Sequence, residues 1–372
     1  MEPTRAVLPR PRRITGPSCI STARKHWVER LRMWGYSACT CLHQPETLMS
    51  KPALLMTGPM MPLIENGCDA AFTVHRLHKA ADREALLKQV APEIRAICTG
   101  GHTGVKTDNA LMERFPNLKI VGNFGVGYDS VEVAAAAKRG VVVTNTPEVL
   151  TEEVADTTLG LLLGTVREFY QAEKWLRDGR WAPEGDYRLT PASLRDRSVG
   201  IAGLGRIGKA IGRRLEAFSL PVSYFGRNKQ ADVNYKFYND LVAMARDVDT
   251  LIVVTPGGPG TQNMINAAVL GALGPRGILI NMSRGSVVDE PALIDALKKR
   301  TILAAGLDVF VGEPNVNPAL LELDNLTMFP HVGSASIHTR DAMGQLVVDN
   351  LVAFTEGKPP KTPVPETPFK GW

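Results

Sequence analysis

From about residue 49 onward, short apolar runs alternate with stretches whose apolar positions recur every three or four residues. That alternation is the pattern of parallel strands joined by crossover helices. Runs at 53–57, 96–98, 119–122 and 141–144 read as strands, and 82–90 and 131–138 as helices between them. A first α/β unit therefore fills about residues 49–147. A long amphipathic stretch follows at 151–177, opened by Thr151 as a cap with Val154 at its third position. Along it Val154, Thr158, Leu161, Leu162, Thr165 and Phe169 share one face. A second α/β series begins at Ser198, with strands at 199–203, 222–225, 250–255, 277–281 and 304–309. A final helix over 339–356 leads into a tail with five prolines, which reads as an extended segment laid over the surface.

Composition adds little to that picture and excludes several classes. With 44% hydrophobic and 22% charged residues the chain is that of an ordinary globular protein. No run approaches the roughly 18 consecutive apolar residues of a membrane span. The net charge of +5 suggests nucleic-acid binding until it is divided along the chain. Residues 1–48 hold eight basic and three acidic side chains, which leaves 35 of each in the remainder. A neutral body offers no footprint for a polyanion. Cys19, Cys39 and Cys41 also fall in the first 48 residues, and the isolated Cys68 and Cys98 suit a reducing cytoplasmic setting.

Three readings compete for the basic segment 1–48: a transit-like peptide, a disordered arm, or translated sequence upstream of the natural start. The last is favoured because Met49 leads directly into the run at 52–56. The spacing of Cys39, Cys41 and His43 is not that of a zinc knuckle, and no second ligand pair follows. His75 and His78 have no nearby third ligand and read as surface residues. No metal site is expected.

Ser198-Val-Gly-Ile-Ala-Gly203-Leu-Gly205-Arg206-Ile207-Gly208 is an apolar strand, a glycine turn and a helix start. In that context Gly203 allows the tight turn, Gly205 lets backbone approach a pyrophosphate, and Gly208 permits close helix-to-strand packing. The phosphates then meet the free N–H groups of the helix N-terminus. At the end of the next strand an NAD site usually places an acid on the ribose hydroxyls. Here the chain reads Tyr224-Phe225-Gly226-Arg227-Asn228, with no acid until Asp232. Arg227 can pair with a 2′-phosphate, which favours NADPH over NAD(H). The bland alternative is a solvated turn arginine.

Three further segments each follow or close a strand: Asn281-Met-Ser-Arg284-Gly285, Gly306-Leu-Asp308-Val-Phe310-Val-Gly-Glu313-Pro314, and Pro330-His331-Val-Gly333-Ser334. Together with the glycine turn, they resemble the D-isomer-specific 2-hydroxyacid dehydrogenases over residues 49–368. The resemblance implies an α/β fold of two Rossmann-like domains with parallel sheets and a cleft between them. A flavodoxin-like substrate domain would comprise 49–147 and 338–372, and an NAD(P)-binding Rossmann domain 148–337.

The chemistry explains the residue types. Hydride arrival at the carbonyl carbon of a 2-oxo acid leaves negative charge on the ketone oxygen. Arg284 can grip carboxylate and ketone oxygens with its planar fork, and His331 can donate the proton. Glu313 would orient the imidazole and favour its protonated form. Taken singly, each has a bland reading as a cap partner, a core histidine or a surface carboxylate. The resemblance further implies that Thr103 and Gly104, in Gly100-Gly-His-Thr-Gly104, present backbone N–H groups to the substrate. It places Asn123-Phe-Gly125-Val-Gly127 on the hinge side of the cleft, Asp308 at the nicotinamide amide, and Thr255 and Pro256 near the adenosine. Gly226, Asn228, His331 and Gly333 complete the cofactor set.

Phe225-Gly-Arg227, residues 185–190 and the Pro-His-Val-Gly-Ser form look most like the NADPH-dependent glyoxylate and hydroxypyruvate reductases and the plant-like hydroxyphenylpyruvate reductases. The segment Met56-Thr-Gly-Pro-Met60-Met61-Pro62 is either a pocket wall or plain core. The expected substrate is a small 2-oxo acid, with an aromatic one as the alternative. A dinucleotide-sensing corepressor is the reading from another class. The family also implies a homodimer through the cofactor domain, with 151–177 as contributor.

Overall fold

The structure is a computed structural model and describes residues 51–100, 105–195 and 197–372. Expectations placed on residues 1–48, on Thr103 and on Gly104 lie outside the described residues.

The first sheet contains β1 (Ala53–Met56), β2 (Thr73–Arg76), β3 (Ile94–Gly100), β4 (Ile120–Phe124) and β5 (Val142–Thr144). All pairs are parallel, in the order β2-β1-β3-β4-β5. Between them cross α1 (Pro62–Ala71), α2 (Arg83–Val90), α3 (Asn109–Glu113) and α4 (Val133–Lys138). Asp82 and Asp108 start α2 and α3 as side-chain caps, accepting the amides of Ala85 at 3.0 Å and Leu111 at 2.9 Å. Alternate strand residues enter two cores: Leu55, Ile97, Val121 and Val143 on one face, and Leu54, Met56, Ala96, Cys98 and Ile120 on the other. Burial on both faces is why these strands read as apolar runs and not as alternation. Met56 is core, with Met60 and Met61 partly buried against it.

The stretch 151–177 is two helices, not one: α5 (Thr151–Val166) and α6 (Phe169–Arg177), followed by the short α7 (Trp181–Glu184). The break falls at Glu168, in the left-handed region at φ 51°. Its carboxylate is held there by Tyr187 Oη at 2.7 Å and Arg188 at 2.7 Å. Phe169 consequently leaves the buried face and is half exposed. Leu150, not Thr151, occupies the N-cap of α5, and no side chain caps it.

The second sheet is also all-parallel. Its strands are β6 (Val199–Ala202), β7 (Val222–Phe225), β8 (Lys236–Tyr238), β9 (Thr250–Val253), β10 (Ile278–Asn281), β11 (Ala304–Leu307) and β12 (Leu326–Met328). Their order is β12-β11-β10-β9-β6-β7-β8. The chain thus reverses direction across the sheet between β6 and β9, the place where open α/β sheets leave a crevice beyond the strands' carboxyl ends. The crossovers are α8 (Arg206–Ala217), α9 (Leu241–Asp247), α10 (Ala267–Leu273), α11 (Glu290–Lys298) and α12 (Pro318–Leu321).

The last helix, α13 (Ile337–Thr355), joins the two halves. Met343 enters a core of the second sheet, whereas Val347, Leu351 and Phe354 pack on the first. A Cβ on Gly122 of β4 would lie 3.0 Å from Leu351 Cγ. The proline-rich tail does more than cover the surface. Val364 and Thr367 are buried, and they bond to Val143 at the open edge of β5 through the Val364 amide and the Thr367 hydroxyl, both at 2.9 Å. His75 and His78 are half-buried, with burial lowering the pKa of His78.

Candidate active site

The segments singled out in the sequence converge at the carboxyl ends of neighbouring second-sheet strands. β6 ends in the glycine turn. Gly203 stands at φ 100°, and a Cβ there would lie 3.0 Å from the Thr255 amide nitrogen. Gly205 is the N-cap of α8, and an added Cβ there meets nothing within 4 Å. At Gly208 a Cβ would sit 2.3 Å from the Gly203 carbonyl oxygen, so only glycine lets α8 start this close to the turn. The amide of Lys209 makes the first helical bond, to Gly205 at 2.9 Å, which leaves Arg206, Ile207 and Gly208 as the leading amides. A bare backbone cradle headed by the leading N–H groups of α8 fits a dinucleotide pyrophosphate.

β7 delivers Gly226, Arg227 and Asn228 beside that turn, with Arg227 and Asn228 exposed. Gln230 ties the two loops together: its amide donates to Tyr224 Oη and its Nε2 to the Leu204 carbonyl, each at 2.7 Å. Asp232, the nearest acid in sequence, pairs with Lys209 at 2.6 Å, and that bond lowers its pKa. Thr255 and Pro256 follow β9, and Thr255 packs against the glycine turn at Gly203.

The loops after β10, β11 and β12 meet one another. The Asn281 side chain folds the first of them, accepting from the Ser283 amide at 3.1 Å and donating to the Arg284 carbonyl at 3.1 Å. A Cβ on Gly285 would lie 2.0 Å from the Phe310 carbonyl carbon, so this loop packs directly on the next. Three residues past Phe310, Glu313 reaches His331 Nδ1 at 2.8 Å. Side-chain exposure of 24% for His331 and 17% for Glu313 puts the pair at the edge of solvent, where a small molecule can reach it.

Asp308 is buried, and its two oxygens accept the amides of Val332 at 2.7 Å and Gly333 at 2.9 Å. Burial pushes its carboxyl up, against the pull of those two N–H groups. The carboxylate thus braces the histidine turn. Arg340, in the first turns of α13, stacks 5.5 Å from the Phe124 ring at the end of β4, and burial lowers its pKa.

Arg284 carries the main surprise. Its Nε donates to Asp129 Oδ2 at 2.7 Å and its Nη1 to the Ser283 carbonyl at 2.7 Å. Asp129, Gln230 and Arg340 were not singled out from sequence. A Gly-x-Gly-x-Asp run beyond a strand end was the signal available for Asp129. Among the described residues no group of three His, Cys, Asp or Glu could hold a metal ion.

Comparisons with known proteins agree in direction. The family described as D-isomer specific 2-hydroxyacid dehydrogenase, NAD binding domain, matches residues 159–333. A hydroxyphenylpyruvate reductase from Plectranthus scutellarioides is 42% identical over 316 residues, covering 85% of this chain and 100% of that protein. The glyoxylate/hydroxypyruvate reductase A of Arabidopsis thaliana is 41% identical with the same coverage. Among solved structures, the NADPH-dependent glyoxylate/hydroxypyruvate reductase of Sinorhizobium meliloti in complex with NADP and malonate is 51% identical. It covers 86% of this chain and 98% of its own, with a TM-score of 0.81.

Proposed function

Because the chain belongs to the D-isomer specific 2-hydroxyacid dehydrogenases, a family of oxidoreductases, we propose that it reduces small 2-oxo acids such as glyoxylate and hydroxypyruvate to D-2-hydroxy acids with NADPH. The observation that carries the reading is the Glu313–His331 pair, set beyond the ends of β11 and β12, next in order after β10, which precedes Arg284, on the sheet that also bears the glycine turn. NADPH, when bound, supplies the hydride. Arg284 binds the carboxylate and the ketone oxygen through its guanidinium. Glu313 occupies His331 Nδ1, so the proton delivered to the developing alkoxide leaves from Nε2. Thr103 and Gly104 receive the substrate carboxylate on backbone amides.

For the cofactor, Gly203, Gly205, Arg206, Ile207 and Gly208 take the pyrophosphate. Gly226, Arg227 and Asn228 take the adenosine ribose and its 2′-phosphate, beside Thr255 and Pro256. Asp308 and Gly333 stand toward the nicotinamide. Lys209 neutralises Asp232, the nearest acid in sequence that would repel a 2′-phosphate. The domain boundaries that go with this assignment are 49–147 with 338–372 for the substrate and 148–337 for the cofactor.

The reading includes a cytoplasmic homodimer; among the described residues, no helix is long and apolar enough to cross a membrane. Support for dimerisation comes from Phe169, Tyr170, Leu176, Trp181 and Leu189, all exposed on the arm that leaves the second sheet. The contributor would be α6 and α7, since α5 is spent on the protein's own core.

Initial rates with NADPH and NADH crossed against glyoxylate, hydroxypyruvate and 4-hydroxyphenylpyruvate test the proposal. An NADPH preference with the two small acids is expected. A preference for the aromatic acid, which the Plectranthus relative makes the second reading, would overturn the substrate assignment and leave the mechanism. NADPH binding with no turnover would overturn both.

A further inference from the structure

The bond between Arg284 and Asp129 joins the two halves of the molecule. Asp129 belongs to the loop after β4 of the first sheet, and Arg284 to the loop after β10 of the second, 155 positions along the chain. The two side chains are 35% and 42% exposed. An exposed ion pair of this kind contributes little to stability. Nevertheless, two glycines make room for it. A Cβ at Gly127 would lie 1.6 Å from Arg284 Nη2, and one at Gly257 would lie 2.9 Å from Arg284 Cγ and 3.0 Å from Asp129 Oδ1. Two separate segments, after β4 and after β9, are therefore shaped around one arginine side chain.

Arginine has five N–H donors in a rigid fork. Among the described residues, Asp129 takes the Nε donor and the Ser283 carbonyl takes one from Nη1, and both protons of Nη2 and the second of Nη1 have no further hydrogen-bond partner. The retained edge is the one that passes over Gly127, at the strand end of the substrate half. A long flexible side chain held in this way loses less entropy when its ligand arrives.

We propose that Asp129 is a positioning residue for Arg284: its carboxylate fixes Nε and thereby aims the Nη2 edge of the fork at the carboxylate of an incoming 2-oxo acid. The proposal rests on the reading of Arg284 as the substrate grip. It also couples that grip to the relative position of the two sheets, because the anchor and the grip lie on opposite sides of the cleft.

The test is steady-state kinetics with hydroxypyruvate and NADPH on Asp129→Ala, Asp129→Asn, Arg284→Ala and the Asp129→Ala/Arg284→Ala double variant. Asp129→Ala should raise the KM for hydroxypyruvate about tenfold and leave the KM for NADPH within about twofold, and on the Arg284→Ala background it should add nothing. Asp129→Asn retains an acceptor oxygen for Nε and should recover most of the loss with an unchanged thermal midpoint. A KM that falls in Asp129→Ala would overturn the proposal by making Asp129 a competitor of the substrate. Full additivity in the double variant would overturn it by separating the two residues. If Arg284→Ala alone leaves the hydroxypyruvate KM unchanged, the assignment of Arg284 itself fails, and the positioning role goes with it.

Discussion

Glu313 serves two partners at once: its Oε2 lies 2.8 Å from His331 Nδ1 while its Oε1 accepts the Phe310 amide at 2.8 Å. A carboxylate fixed at one end to the backbone of its own loop holds the imidazole at the other. His331 itself sits at φ 53°, a left-handed conformation that costs a non-glycine residue on the order of 1 kcal/mol. Asp308 holds that turn from beneath through the two amides that follow the histidine. The ring is thus oriented twice, once through its nitrogen and once through its backbone.

Replacing Glu313 with Gln keeps the shape and removes the charge. The amide oxygen can still accept the Phe310 N–H, but its NH2 end then faces His331 Nδ1, which must become an acceptor, so the charged partner of the imidazolium is lost. The turnover number should fall by about 100-fold while the dissociation constant for NADPH, followed by nucleotide fluorescence, stays within about twofold. A variant that keeps more than half of the wild-type rate removes Glu313 from the acid's support.

Arg227→Ala addresses cofactor choice. Arg227 is exposed, so its loss costs the fold little, and a charge-assisted contact to a 2′-phosphate is lost only with NADPH. The KM for NADPH should rise about tenfold or more with that for NADH nearly unchanged. Equal effects on the two cofactors would discredit the phosphate contact.

The parts legible in the sequence are those whose cause is local. The glycine turn and the Arg284, Glu313 and His331 segments each announce themselves within a few residues of a buried strand. The strands β2, β8 and β12 escaped because they are edges: three or four residues long, and polar or short enough to leave no apolar run. The break at Glu168 was invisible for a different reason, since its holders Tyr187 and Arg188 lie some twenty positions on. Asp129 shows the limit most clearly. Nothing near it in sequence reveals the arginine on the other sheet that it holds.

Gly285→Ala tests whether the loops after β10 and β11 act as one unit. The residue looks innocuous, because it lies in an ordinary backbone region and makes no side-chain contact. Yet an added Cβ would fall 2.0 Å from the Phe310 carbonyl carbon and 2.1 Å from its oxygen. Backbone cannot yield as a flexible side chain can, so the two loops must separate. Phe310 donates the amide that fixes Glu313, and Arg284 is the residue immediately before the substitution. One methyl group therefore disturbs the substrate grip and the proton donor together. The ratio kcat/KM for hydroxypyruvate should fall by about 100-fold or more, with a thermal midpoint lowered by several degrees, as expected for overpacking of about 1–3 kcal/mol. The NADPH dissociation constant should change far less, because the glycine turn sits two strands away across β9. Wild-type kinetics in this variant would mean that the loops can part freely, and that Glu313 and Arg284 are positioned independently.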